Sequence, residues 1–445
     1  MLNERTTGPT SFNIEHSTLN IQHSLFPDVD PIEAVFIFMR KLLLAALLFQ
    51  SVNAFGQTIS AEISSGPIPF TNVGAFLPAP AVALAKDRTG VAIAWLMPDA
   101  IGDRISVVRL DATGHFTGQV QTIPTASSEL VYVVAPSIAT VPRGDGFTLA
   151  WLEIVSTTLT RAVYCRLDRD LKPSTPAVLL AIQKPITAPV IVRSGKTTWI
   201  SVDTSIWQLR DDGSLGEPLN AGIDATDMTV ATDLPQIVGV SHAGVGIICP
   251  PGCGRTGHFA TCGCPLAAPI AYSVQFTSLY SITASRIFDY DSDASPAIGS
   301  DGRDAAIVWL HAAHVKGGPV VMSRITPPAF KDFATTVNQF REIGTFGPEG
   351  GPTRPDIASD GERYVVVWRT EVGDGTHDIV GASIDHSDNV IPLTIANSTA
   401  ADERDPSVVS MGDGRFLIAY EKLSNGQRQI AGRFVTFDSR TRAVR

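Results

Sequence analysis

From residue 80 onward the chain alternates short apolar runs with turn residues, and no stretch keeps a helical period. The clearest unit is Pro355-Asp356-Ile357-Ala358-Ser359-Asp360-Gly361-Glu362-Arg363-Tyr364-Val365-Val366-Val367-Trp368. The apolar run after Pro predicts a strand. Asp-Gly predicts a hairpin, because glycine accepts φ > 0, and the unbroken run ending in Trp predicts a second strand. A polar loop and a third strand follow, as at 105–110 or 430–435. Acidic turns come next (111–114, 211–213, 385–388), and then a fourth strand such as 390–396.

Six further copies begin at Pro80, Pro136, Pro189, Pro235, Pro296 and Pro406. Their turns are Thr89-Gly90, Asp145-Gly146, Ser194-Gly195, Ala243-Gly244, Asp301-Gly302 and Asp413-Gly414. Units of 46–61 residues with four antiparallel strands each predict an all-β chain folded as a seven-bladed β-propeller. A string of β-sandwiches fits less well, since each unit falls short of the about 100 residues such a domain needs. The second strands are also apolar on both faces, as a sheet packed between two neighbours requires. The last copy has three strands before the chain stops, and 58–64 reads as a strand. That N-terminal strand is expected to complete the last blade and leave no open sheet edge. These copies resemble the Pro-x-Ile-Ala-x-Asp-Gly-x-x-Tyr-Val-Val-x-Trp blades of bacterial secreted and cell-surface β-propeller repeat proteins. The resemblance covers 57–445 and implies architecture alone, because propellers carry unrelated functions.

Ahead of the repeats, Met39-Arg40-Lys41 and the apolar run 42–49 have the basic and hydrophobic regions of a secretory signal peptide. Val52-Asn53-Ala54 supplies a cleavage site, and cleavage after Gly56 fits nearly as well. Translation is therefore expected to start at Met39, with 1–38 an upstream extension, 39–56 the signal peptide and 57–445 the propeller. The product would be secreted or periplasmic. Arg40 and Lys41 divide the apolar stretch 34–49, so no membrane span is expected. Composition sharpens this picture. With 44% hydrophobic residues the chain has material for a large core, which excludes a disordered protein. A net charge of −10 argues against a nucleic-acid partner, which would need a basic stripe.

Candidate chemistry gathers in the loops that would join second to third strands, at 96–104, 152–162, 203–205, 249–268, 310–319, 369–378 and 421–429. Cys249, Cys253, Cys262 and Cys264 share one of them. In an exported chain they read as two disulfides stapling a loop without a core of its own, and zinc held by four thiolates is the competing reading. Cys165 falls in a third strand and reads as a buried free thiol. His258, His311, His314 and His377 fall in the loops of three consecutive copies. His311-x-x-His314 with His377 and Asp374 or Asp378 is a candidate metal group, against the plainer reading of histidines in exposed polar loops. Asp289, Asp291 and Asp293 open like a calcium loop, but Ala294 stands where Gly belongs and Ser300 where Glu belongs. Asp402-Glu403-Arg404-Asp405 reads as a mixed-charge surface turn, and Trp95, Trp151, Trp309 and Trp368 as packing between blades.

No nucleophile elbow, metalloprotease helix, P-loop or dinucleotide fingerprint occurs. The expectation is an exported, monomeric, non-enzymatic propeller without a cofactor, binding a protein or glycan through its top face. A hydrolase or lyase acting on a carbohydrate or lactone with a channel-mouth metal, and a structural envelope or matrix component, are the alternatives.

Overall fold

The computed structural model describes residues 57–64, 82–87, 89–97, 104–126, 132–141, 146–155, 159–181, 188–194, 197–202, 205–210, 212–220, 227–231, 236–244, 255–256, 261–262, 272–278, 281–286, 294–311, 318–325, 340–347, 354–372, 375–398 and 400–438. The chain divides into two compact units, Met1–Gln57 and Thr58–Arg445, and the second holds the sheets. The described residues contain strands and turns and no helix, so no helix is long and apolar enough to cross a membrane.

Seven antiparallel sheets of four or more strands follow one another along the described chain. Sheet one is Val82–Lys86, Gly90–Met97, Arg104–Asp111 and Phe116–Ile123. Sheet two is Tyr132–Thr140, Gly146–Ile154, Thr160–Asp168 and Val178–Ala181, and sheet three is Val190–Ser194, Thr197–Val202, Ser205–Leu209 and Leu219–Asn220. Sheet four is Asp227–Ala231, Gln236–Gly244, Tyr272–Ser278 and Ser281–Arg286. Sheet five is Ala294–Ser300, Ala305–Leu310, Pro319–Ile325 and Arg341–Thr345, and sheet six is Asp356–Ser359, Arg363–Glu371, His377–Asp385 and Val390–Ala396. Sheet seven contains Ala401–Gly412, Arg415–Ser424 and Gln427–Phe437, with the short strands Gln57–Ile59 and Ile63–Ser64 beside the last of these. Ile63 pairs with Gly432 and Ser64 with Ala431, while the Ser60 amide donates to the Phe434 carbonyl at 2.9 Å.

The first strand of each sheet adjoins the first strand of the next. The series runs from Val82–Lys86 through all seven, and Ala401–Gly412 in turn lies beside Val82–Lys86. Neighbouring sheets face one another, which accounts for the burial of residues 146–153 in the second strand of sheet two and of all of Ala305–Leu310. The core is a series of inter-sheet layers. One joins Val91, Ile93, Trp95 and Leu110 of sheet one to Leu417, Ala419, Ile430 and Phe434 of sheet seven. Trp95, Trp151, Trp309 and Trp368 are all buried, as strand-end packing residues. The indole of Trp368 donates to the Thr345 carbonyl of sheet five at 2.9 Å.

The prolines of the repeat have a structural reason. Pro136, Pro296 and Pro406 each sit where the first strand shifts register, between Val134 and Ser137, Ala294 and Ala297, and Arg404 and Ser407. A residue without an N–H is tolerated in a sheet at such a bulge, where no ladder bond is asked of it. The next residue often links neighbouring sheets. Ser137 Oγ accepts the Ile191 amide (3.0 Å), and Asp356 Oδ2 accepts the Val408 amide (2.8 Å). In sheet four Asp227 holds the same place and accepts the Ile298 amide at 2.9 Å.

Arginines clamp the opposite ends. Arg109, Arg166 and Arg324, near the ends of third strands, donate to carbonyls of Arg169, Arg210 and Asp385 in the turn of the next sheet. Arg415 of sheet seven does the same to Ala112 of sheet one. Arg109 and Arg324 also lie over Phe147 and Tyr364 of the next sheet, at 5.6 and 5.4 Å from the ring centroids, within cation–π range.

The fourth repeat departs from the sequence reading. Gln236–Gly244, read as opening a unit after Pro235, is the second strand. It pairs with Asp227–Ala231 on one side (Asp227↔Val240) and Tyr272–Ser278 on the other (Gly244↔Tyr272). The cause is local. This worn copy carries Thr232-Asp233-Leu234-Pro235 in place of an Asp-Gly turn, so Ala243-Gly244 offered itself as a false hairpin.

Candidate functional site

The site is built where the first strand of sheet seven meets the hairpin of sheet six. That hairpin is longer than its sequence suggests. Strand order runs to Glu371 and resumes at His377, with Glu371 and His377 paired, so His377 stands on a strand end rather than in a loop. Across from it, Ala401–Gly412 extends well ahead of Pro406. Asp405, just before that proline, adopts φ +48°, a left-handed conformation costly for a non-glycine residue. The bulge there lets Asp402, Glu403 and Arg404 pair with Leu423, Lys422 and Glu421.

This corrects the reading of 402–405 as a surface turn. Asp402 is 9% exposed and Glu403 fully buried. Burial is tolerated because opposite charges arrive from other elements. Asp402 accepts hydrogen bonds from the His377 amide (3.1 Å) and the His377 ring Nδ1 (2.8 Å), and pairs with Arg404 (2.5 Å). Burial raises the Asp402 pKa, but His377 and Arg404 outweigh it and hold the carboxyl at about 2. An ionised carboxylate only accepts, so Nδ1 carries the proton. In the neutral imidazole Nε2 then presents a lone pair. Beside them, Arg428 pairs with Glu421. Asp405 lies against Arg369, itself nearly buried, and burial pushes the Asp405 carboxyl up despite its cationic neighbours Arg369, Arg404 and Arg428.

A second polar group lies on and beside the first strands of sheets four, six and seven. Arg354, just ahead of the first strand of sheet six, pairs with Asp227 at 2.6 Å and keeps 24% of its side-chain surface accessible. Asp356 beside it accepts from Ser407 Oγ at 2.8 Å, and burial followed by the charge of Asp227 raises its carboxyl. Asp405 and Ser407 flank Pro406, so one strand carries partners of both groups.

Glu403 stands apart. No side chain donates a hydrogen bond to its carboxylate, and burial, opposed by Lys422 and the Ser398 amide and reinforced by Asp378 and Glu62, pushes it up to about 7. Glu62, between the two N-terminal strands, accepts from Tyr420 Oη (2.8 Å) and Lys422 Nζ (2.8 and 3.0 Å). Sequence reasoning missed these residues. The available signal was the unusual density of charge at 402–405, matched by Glu421, Lys422 and Arg428 in the next two strands.

Of the other candidates, His311 packs against Phe340 within sheet five, ring centroids 4.9 Å apart, while His377 is held toward sheet seven. Among the described residues no three His, Cys, Asp or Glu side chains converge as a metal group. His258, His314, Cys249, Cys253, Cys264, Asp289, Asp291, Asp293 and Asp374 lie outside the described residues. Cys262 is described by its backbone alone, in the two-residue strand Thr261–Cys262 paired with Arg255–Thr256. No disulfide occurs among the described residues. Cys165 is a buried free thiol, its pKa pushed up to about 12 by burial.

No protein-family model matches the chain, and no curated protein is similar to it. Among solved structures, it is similar to a protein of unknown function from Dyadobacter fermentans (12% identity, TM-score 0.46, covering 86% of this chain and 100% of that one). It is also similar to the beta-propeller domain of the Trilobed protease from Pyrococcus furiosus (10%, TM-score 0.44, 81% and 96%). A third is an alpha-L-arabinofuranosidase from Podospora anserina in complex with cellotriose (9%, TM-score 0.35, 84% and 96%). Likenesses this slight transfer neither activity nor ligand to this chain.

Proposed function

We propose that the protein is an exported seven-bladed β-propeller, closed by residues 57–64 beside Gln427–Phe437, that binds a glycan at the His377 end of sheets six and seven. The adjacency of successive first strands, returning from Ala401–Gly412 to Val82–Lys86, supports the ring. The Arg415 clamp onto Ala112 and the core layer shared by sheets one and seven support it too. The signal-peptide pattern beginning at Met39, with its cleavage site near Ala54 or Gly56, supports export.

One observation carries the binding reading. Asp402 is held by both His377 and Arg404, yet Arg404 keeps 36% of its side chain accessible. Donors and acceptors fixed by their own partners and still reaching solvent need little further ordering to meet a hydroxyl-rich ligand. Such pairing also leaves Asp402 without the raised basicity that a catalytic base at neutral pH requires.

The test is a glycan array probed with the purified chain, followed by calorimetry on the best glycan. Arg404→Ala and His377→Ala are expected to lower the melting temperature, because each leaves the buried Asp402 short of a partner, and to weaken binding at least tenfold at a temperature where circular dichroism shows the variant folded. Retention of no glycan, or full binding by both variants, would overturn the reading. Release of shorter sugars from a retained glycan would favour the hydrolase alternative.

A further inference from the structure

Glu403 is a charged residue type with no accessible surface and no side chain donating a hydrogen bond to it, and it lies beside the described contacts that hold the N-terminal strands by ion pairing. Lys422, opposite Glu403 in the ladder, donates both described hydrogen bonds of its ammonium to Glu62 rather than to Glu403. Tyr420 Oη donates to the same carboxylate, and Arg433 stands 3.8 Å from it. Glu62 therefore takes the cations of this corner, and a buried carboxyl is left without one.

We propose that Glu403 is a proton-operated latch on the N-terminal segment: protonated, it leaves Lys422 to Glu62 and the segment stays docked on sheet seven; ionised, it competes for Lys422, repels Glu62 and loosens the segment. The charged groups acting on Glu403 come from three elements. They are Lys422 of the second strand of sheet seven, Asp378 of the third strand of sheet six, and Glu62 of the N-terminal segment. Lys422 and the Ser398 amide favour the ionised form, and Lys422 is engaged by Glu62. The neighbours of Glu403 on its own strand, Asp402 and Arg404, are paired with each other, and Asp402 also with His377.

The burial-raised affinity for a proton gives the direction. When the segment lifts, Glu403 meets water and regains an ordinary carboxyl affinity. The docked form thus binds the proton more tightly and is favoured as pH falls from about 7 toward the ordinary carboxylate range. Between pH 6 and pH 8 the docked-to-lifted ratio should fall about tenfold.

Hydrogen–deuterium exchange of the full chain, corrected for the intrinsic pH dependence of exchange, reads this at residues 58–64. Protection in the wild type is expected to drop about tenfold between pH 6 and pH 8, while strands of sheets two and six keep theirs. Glu403→Gln should hold the pH 6 protection at both values, and Glu62→Gln should lower it at both. Equal wild-type protection at the two pH values would overturn the proposal without any variant. A pH dependence that persists in Glu403→Gln would overturn it as well. Glycan binding plays no part in this readout, so failure here and failure of the binding reading are separate results.

Discussion

Glu403 and Asp402 are adjacent on one strand, yet their environments drive them in opposite directions. Asp402 gains His377 and Arg404, so its folded pKa lies below the unfolded value. Its contribution to stability is complete above the ordinary aspartate range and lost as pH falls toward about 2. Glu403 gains less for its charge than burial costs it, so its folded pKa lies above the unfolded value. Its cost is absent at low pH and complete above about 7. Glu403→Gln should therefore stabilise the protein by about 2–3 kcal/mol at pH 8, and by much less at pH 5. Urea unfolding at the two pH values measures the difference, and equal gains at both would contradict the assignment. Asp402→Asn should destabilise at pH 7, where Arg404 and His377 lose an ionised partner, and should be nearly silent at pH 2.

Among the elements, the contact between the fourth strand of sheet five and the second strand of sheet six is the tightest test of packing. A Cβ on Gly344 would meet the Trp368 ring at once, and the ring is fixed by its bond to the Thr345 carbonyl. Gly344→Ala should cost about 1–3 kcal/mol through overpacking. Trp368→Ala should cost about 3–5 kcal/mol through the cavity it leaves. The two losses should not add, because the smaller residue at 368 makes room for the new methyl. Calorimetric melting of the single and double variants reads this directly. The same logic applies to the arginine clamps, whose guanidinium groups bond to backbone carbonyls. Arg324→Lys should lose both the Asp385 contact and the stacking over Tyr364, so keeping the charge will not rescue it.

For the whole molecule, the decisive feature is how the proposed ring joins its ends. Residues 58–64 attach to the third strand of sheet seven through the Ile63–Gly432 and Ser64–Ala431 pairs and the Glu62 ion pairs. Deleting 57–66 would expose the outer edge of Gln427–Phe437 and leave Lys422 and Tyr420 without Glu62. The expected result is a melting temperature lowered by several degrees together with a tendency to associate through the freed edge. An unchanged melting temperature would mean that closure rests on the sheet-one contacts alone.

The sequence by itself determined what is local. Apolar runs, Asp-Gly turns and a repeated proline marked the strand order of six sheets, because strand and turn preferences act over a few residues. The four tryptophans at strand ends announced the layers between sheets for the same reason. Where the local signal was worn, in the fourth repeat, the register slipped to the nearest Gly. The stretch 421–429, read as a loop, is a tight hairpin on Asn425-Gly426, whose residues take φ of 52° and 70° between the paired Ser424 and Gln427. The site was another matter. Whether 402–405 is a solvated turn or a buried charge network depends on partners that arrive from far along the chain: His377 is 25 residues from Asp402, and Glu62 is 360 from Lys422. Charge burial is decided by what stands within a few ångströms after folding. No residue pattern states that distance, so only the tertiary structure separated the held Asp402 from Glu403, to which no side chain donates.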